Sequence, residues 1–291
     1  MINALTVDVE DYFHPNAMDG VVPPSQWDAM PHRVEANTRR MLDLLDECGV
    51  HATFFVLGWV AERWPQLISD IERRGHEVAC HGFAHRLVYQ LGREPFRADV
   101  LRARSVLEDI VGHRIAGFRA ASYSIVDSTL WALDVLIDLG FTYDSSIFPI
   151  RHDLYGIPSF SRTPVRIERA AGAILEIPPS TVRLLGQNWP VAGGGYFRLF
   201  PYWLTRRAIE WLNQHERRAG MVYVHPWELD VDQPRLHGGL RARLQYTNLH
   251  RTEARARQLL RRFRFAPLQR ALCFADLPLF GSAPGSAAAR Q

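Results

Sequence analysis

Apolar residues in this chain alternate between short unbroken runs and longer stretches where they recur every three or four positions, a pattern of strands followed by helices. Residues 2–9 form the first apolar run and end in acids, as a buried strand does. Residues 34–48 carry Met41, Leu42, Leu44 and Leu45 at helical spacing, and Gly49 follows as a stop. Residues 51–57 give a second strand, and 60–74 a second helix with Pro65 near its start. A third strand ends at Cys80. Beyond it come a helix over 96–111, a strand over 115–118, a helix over 128–139 stopped by Gly140, and a strand over 141–144. Repeated strand–helix units predict an α/β fold with parallel strands wrapped by helices, either a barrel or a doubly wound sheet.

Elsewhere the pattern loosens. Residues 14–33 are rich in Pro and polar groups and read as a loop. Residues 147–200, with many Pro and Gly including Gly193-Gly194-Gly195, read as an elaborated loop region over a site. Order returns with a helix over 204–214 and a strand over 221–224. Residues 251–264 form a basic helix with Arg255, Arg257, Arg261, Arg262 and Arg264. Its charges read as a solvated face, with peripheral contact to acidic lipid or polymer as the alternative. The Ser/Ala/Gly-rich stretch from Gly281 predicts a disordered tail over 281–291, which leaves 1–280 as one domain.

Composition narrows the class. The 291 residues are 47% hydrophobic and 22% charged, as in an ordinary globular protein, and a net charge of +3 is too mild to imply nucleic acid. Cys48, Cys80 and Cys273 are too few and too far apart for a disulfide scaffold and suit buried free thiols. Residues 1–6 lack a basic segment leading into a long apolar run, and no stretch of about 18 uncharged apolar residues occurs. Both features predict a cytoplasmic protein.

The candidate chemistry gathers where the predicted strands end. His81 and His85, four residues apart after the third strand, are spaced to reach one metal ion. His76-Glu77 opens a zincin-like H-E-x-x-H, but Cys80 stands where the second His belongs, so that motif fails. The first strand ends with Asp8, Glu10 and Asp11. Amide hydrolysis with a divalent metal needs ligands that leave a coordination position open and a base for the attacking water. The two histidines and one carboxylate supply ligands, and a second carboxylate the base. Arg119 follows a strand and is placed to pair with a site carboxylate and keep it ionised. His225 ends an apolar strand and is placed to donate a proton to a leaving amine.

Thr6-Val7-Asp8-Val9-Glu10-Asp11, Ala52 to Gly58, the His81/His85 pair, Gly117-Phe118-Arg119-Ala120 and Tyr223-Val224-His225-Pro226 occur in a telling order. Together they resemble the five motifs of the polysaccharide deacetylase family (NodB homology, carbohydrate esterase family 4) over roughly residues 1–230. The stretches 140–149, 152–156 and 176–180 look more particularly like the deacetylases encoded with bacterial exosortase and exopolysaccharide systems, a group similar to the peptidoglycan deacetylase and allantoinase-like branch. The resemblance implies a distorted parallel (β/α) barrel of about seven strands, with a family-specific extension from about residue 230. It implies a metal-dependent hydrolase, most simply with Zn2+, that removes acetyl groups from N-acetylhexosamine units. The partner would be an acetylated amino-sugar polymer or a lipid-linked oligosaccharide. Carried over by motif, Asp8 is the base, His81 and His85 are ligands, Arg119 orients Asp8, and His225 is the general acid. Asp127, in Asp127-Ser128-Thr129-Leu130-Trp131, would tune that acid, and Trp131, Tyr123 and Trp227 would line the sugar pocket.

This sequence departs from the family where Val9 separates Asp8 from Glu10. On an extended strand Asp8 and Glu10 share a face, which favours Glu10 as the third ligand. A turn after Val9 brings in Asp11 instead, and Asp11 is preferred because Asp is the family's ligand type. Ala121 replaces the usual Pro of the third motif. Cys80 is expected to point away from the ion as a buried thiol. Two other readings are an allantoinase-like cyclic amide hydrolase and a non-catalytic carbohydrate-binding protein on the same fold. The aromatics Trp189, Tyr196, Phe197 and Trp227 would serve a sugar in either case. The set Asp8, His81, His85 and His225 favours an enzyme, since a binder has no use for a base and an acid.

Overall fold

The computed structural model describes residues 1–191 and 193–272. Cys273 and the predicted tail over 281–291 lie outside the described residues. The strands, in chain order, are β1 (Ile2–Val9), β2 (Thr53–Val56), β3 (Glu77–Cys80), β4 (Gly117–Phe118), β5 (Tyr143–Asp144), β6 (Val165–Arg169), β7 (Gly172–Glu176), β8 (Thr181–Leu184), β9 (Gln187–Pro190), β10 (Met221–Val224) and β11 (Arg264–Ala266). One sheet runs β10-β1-β2-β3-β4-β5-β7-β6, with β11 also on β1. Its seven strands from β10 to β7 are parallel, and β6 turns back antiparallel on β7. The α/β class with a mainly parallel sheet is therefore the observed one. Among the described residues no pairing joins β10 to β7 or β6.

The register decides where the chemistry surfaces. Val7 lies beside Val224, Val9 beside Val56, and Cys80 beside both Val56 and Phe118. The next residues along these parallel strands (Glu10, His81, Arg119 and His225) therefore emerge at one carboxyl rim, where α/β folds bind ligands. Helices cover the sheet. Val34–Cys48 buries Met41, Leu42, Leu44 and Leu45 and ends at Gly49 in the left-handed region (φ 64°). The stretch 60–74 is two helices, Gly58–Arg63 and Pro65–Arg73. They part at Trp64 (φ −129°, ψ 59°), because Pro65 supplies no N–H and forces its predecessor out of the helical region.

The region 147–200 is not the long loop its Pro and Gly content predicts. It holds the β6–β7 and β8–β9 hairpins and the helix Gly194–Leu199. In β6, buried Val165 and Ile167 alternate with exposed Arg166 and Glu168, a period-2 pattern that five residues display only weakly. The structure also explains the stretches 140–149 and 176–180. Asp144 of β5 sits beside Glu176 of β7, both fully buried. Glu176 accepts the N–H groups of Ser146 and Ile147, and Asp144 accepts the Ser146 hydroxyl. Burial pushes Asp144 up to about 6, and burial together with the neighbouring carboxyl pushes Glu176 well above the usual carboxylate range. No helix among the described residues is long and apolar enough to cross a membrane.

Candidate active site

Asp8 and Arg119 form the floor of the site. Arg119 has no exposed surface, and its guanidinium donates to Asp8 Oδ1 at 2.6 Å. It also donates to the Thr6 hydroxyl (2.9 Å), the Ser145 carbonyl (3.2 Å) and the Ser145 hydroxyl (3.1 Å), and it lies over the Phe55 ring. With its fork held on several sides, the guanidinium fixes the Asp8 carboxylate and leaves Oδ2 facing the cavity. That second oxygen is 3.8 Å from His225 Nε2.

Beside this pair stands a buried three-residue cluster. Glu10, His81 and His85 place one ligand atom each within 4.8 Å of one another. His81 Nδ1 lies 2.8 Å from the Arg119 carbonyl, which only accepts, so Nδ1 carries the ring's proton. In the neutral ring Nε2 then presents a lone pair, and it faces Glu10 Oε1 at 3.1 Å. His85 Nε2 lies 3.1 Å from the same oxygen. Two buried imidazole nitrogens converging on one carboxylate oxygen fit a divalent cation between them, and the N2O donor set matches those of hydrolytic metal centres. His85 is held at φ 50°, a strained value for a non-glycine residue and a common feature of functional loops. Burial favours the neutral acid at Glu10, but His85, His225 and the imidazole contacts of His81 and His85 draw it well below the usual carboxylate range.

Asp11 is not part of this cluster, and the preference for it as third ligand is corrected. β1 stays extended through Val9, so Asp8 and Glu10 share the site face and Asp11 turns the other way. Its oxygens accept the N–H groups of Tyr12 (2.9 Å), Arg33 (2.7 Å) and Val34 (3.0 Å), which caps the helix Val34–Cys48.

His225 has partners that the sequence reading missed. Its Nδ1 is 3.0 Å from Glu228 Oε2, and its backbone N–H donates to the same oxygen at 2.9 Å. Glu228 is in turn held by Arg198 Nε at 2.6 Å, and Arg198 donates to the carbonyls of Leu244, Gln245 and Thr247. Burial opposes a charge on His225, but Glu228, Glu10 and Asp8 outweigh it and hold the imidazolium up to about 9. His225-Pro226-Trp227-Glu228 has the spacing of a helix-start capping box, which was a readable signal for Glu228. Arg198, thirty residues earlier, had none.

Asp127 and Trp131 are corrected too. Asp127 is exposed at the start of a short 3-10 turn, and the acid facing His225 is Glu228 instead. Trp131 packs edge-on against Phe96, under Arg93. A residue of the 127–131 stretch can reach His225 only if the 121–131 segment passes over the site. Here that segment turns at Ser122 (φ 50°) and Tyr123 (φ 54°), and Trp131 opens a helix packed on the core.

The resulting cavity measures about 420 Å3. Asp8, Glu10, His85, Arg119, Tyr123 and His225 line it together with Trp227, which stacks on His225 at 5.3 Å. His152, Tyr155 and Tyr223 add further aromatic wall. The glycine run closes one side. A Cβ on Gly193 would lie 2.2 Å from Tyr223 Cδ1, and one on Gly194 2.7 Å from Tyr223 Cε2 and 3.3 Å from His225 Cε1. Only glycine lets this backbone, at φ 134° and 47°, approach the site so closely.

The parallel sheet thus gathers a buried Asp–Arg pair, an imidazole and a carboxylate–dihistidine cluster at one rim, groups of the kind that metal-assisted hydrolysis uses. Residues 25–143 match the family model described as polysaccharide deacetylase, and residues 145–273 match a domain of unknown function, DUF3473. Residues 25–143 thus carry a polysaccharide deacetylase domain. It is 28% identical over 98 residues to a peptidoglycan-N-acetylglucosamine deacetylase of Bacillus cereus, covering 33% of this chain and 36% of that one. It is 36% identical over 99 residues to a chitooligosaccharide deacetylase of Sinorhizobium fredii, covering 34% and 44%. The matched segments span less than half of these relatives' length. The solved structure of PuuE allantoinase superposes with a TM-score of 0.57 at 16% identity, covering 91% of this chain and 86% of that one, which shows a shared fold.

Proposed function

We propose that this chain is a metal-dependent N-deacetylase acting on N-acetylhexosamine units of a bacterial exopolysaccharide or its lipid-linked precursor. The observation that carries the reading is Asp8 facing His225 across a cavity whose third corner is Glu10, His81 and His85. Glu10, His81 and His85 would hold the ion, and their N2O set suits zinc. When bound, such an ion supplies Lewis acidity toward the acetamide carbonyl and the attacking water. Asp8 Oδ2, its partner oxygen pinned by Arg119, takes the water's proton. His225, with Nδ1 directed at Glu228, presents Nε2–H to the cavity and protonates the departing amine. In the 119–124 loop the backbone N–H groups of Arg119, Ala120, Tyr123 and Ser124 are donated elsewhere, so that of Ser122, which lines the cavity, is assigned the developing oxyanion. The substrates in the names of the two relatives, the N-acetylglucosamine of peptidoglycan and a chitooligosaccharide, support the same class. Purified protein loaded with zinc is expected to release acetate from triacetylchitotriose with one primary amine per acetate. Zinc-loaded protein that binds this sugar but releases no acetate makes the chain a binding module; hydrolysis of allantoin but of no glycan moves the substrate class.

The Glu228 contact yields a pH prediction. His225 acts protonated, so activity is lost as pH rises through its pKa. Glu228→Gln keeps the hydrogen-bonding shape but removes the charge that holds the imidazolium, so that pKa falls. The basic limb of the kcat–pH profile is expected to move to lower pH while the acidic limb stays. A basic limb at the wild-type position in a folded variant removes Glu228 from this role.

A further inference from the structure

A second cleft, of roughly 900 Å3, lies next to the catalytic cavity and is about twice its size. The two are built from the same segments. Pro149, Ile150 and Arg151 face the second cleft, while His152, Leu154 and Tyr155 face the first. Tyr196 and Phe200 face the second; Gly194, Gly195, Arg198 and Leu199 face the first. The wall between them is thin: the Tyr155 and Tyr196 hydroxyls are 3.1 Å apart. Asn188 of β9 donates to the Pro149 carbonyl at 2.8 Å and so fixes the β8–β9 hairpin as the far side of the cleft.

Its chemistry differs from that of the catalytic cavity. Three arginines, Arg151, Arg162 and Arg183, line the cleft, and no Asp or Glu does. Arg162 is used structurally, held by Thr181 and Glu216. Arg151 and Arg183 are exposed, and neither forms an ion pair among the described residues. Trp189 is 47% exposed on the same hairpin, an aromatic surface of the kind that stacks on sugar rings and that core packing does not require. A groove with unpaired guanidinium groups and an open indole, leading from a saccharide site, is complementary to a sugar chain bearing anionic groups.

We infer that this cleft binds an acidic stretch of the saccharide whose acetylated unit enters the catalytic cavity, with Arg151 and Arg183 on carboxylates and Trp189 on a ring face. The inference rests on the deacetylase reading, and it names an acidic glycan as the substrate class. The test uses hyaluronan hexasaccharide, which alternates N-acetylglucosamine with glucuronate, and neutral chitohexaose. Binding is measured by calorimetry on the full zinc-loaded chain carrying Asp8→Asn, so that the sugars stay intact. Hyaluronan is expected to bind about tenfold more tightly than chitohexaose. R151E/R183E should abolish that preference, and W189A should weaken both sugars several-fold. In the otherwise wild-type chain, R151E/R183E should leave triacetylchitotriose turnover unchanged. Should Asp8→Asn not fold, the same comparison is made on KM for acetate release by wild type and R151E/R183E. Equal affinity for the two sugars, or a preference that survives R151E/R183E, overturns the inference. Displacement of hyaluronan by equimolar inorganic pyrophosphate also overturns it, in favour of a bare phosphate site. A missing acetate signal with hyaluronan binding intact counts against the deacetylase reading alone.

Discussion

Asp8→Asn is expected to lower turnover by roughly 10²–10⁴-fold while the protein still binds its metal and its sugar. The amide has the shape of the carboxylate and keeps an oxygen for Arg119, but it accepts no proton from water at neutral pH. Arg119 is wholly buried, and breaking a buried pair from one side costs about 3–5 kcal/mol when nothing else satisfies the remaining charge. Here the Thr6 hydroxyl and both Ser145 oxygens still accept from the guanidinium, so the loss of stability belongs at the low end of that range. Thermal melting separates this effect from the kinetic one. His225→Ala should give a similar loss. Because the two groups serve one reaction, the double variant should be little worse than the poorer single one. Undiminished acetate release by folded Asp8→Asn would exclude Asp8 as the base.

The second large effect separates neighbouring acids. Glu10→Gln is expected to cost the divalent ion at least the 10–100-fold in affinity that even outer partners of a metal site are worth, and His81→Ala should do the same. Asp11→Asn should keep the ion. Its cost is instead in the helix cap and the strand–helix junction, of order 1 kcal/mol in folding stability. Metal analysis of the three purified variants, each beside a melting curve, reads both quantities. A full metal complement in Glu10→Gln would remove Glu10 from the site. Loss of the ion in Asp11→Asn without loss of stability would restore the family's usual ligand type.

Much of this site was legible in the residues, because strand ends are marked locally. Apolar runs stop at Val9, Cys80, Phe118 and Val224, and parallel strands bring their carboxyl ends to one rim whatever lies between them. The order of the motifs therefore placed Asp8, His81, Arg119 and His225 together. The period of two along β1 also marked Glu10 as the partner of Asp8, and the family's ligand type argued against that geometry.

What the sequence by itself determined was the parallel α/β sheet, the helices with clear stops such as Gly49, and the residue types gathered at the sheet's rim. The tertiary structure alone decided which carboxylate completes the His81/His85 cluster and that Glu228, held by Arg198, takes the place expected of Asp127. It also decided that 193–195 is a close-packed wall and not a free loop. The physical reason is range. A run of apolar residues or a cap is specified by neighbours along the chain, whereas the Arg198–Glu228 pair and the contact of Gly193 with Tyr223 each join residues thirty apart in the chain. Such contacts exist only once the sheet and its hairpins have packed, and no spacing in the sequence encodes them.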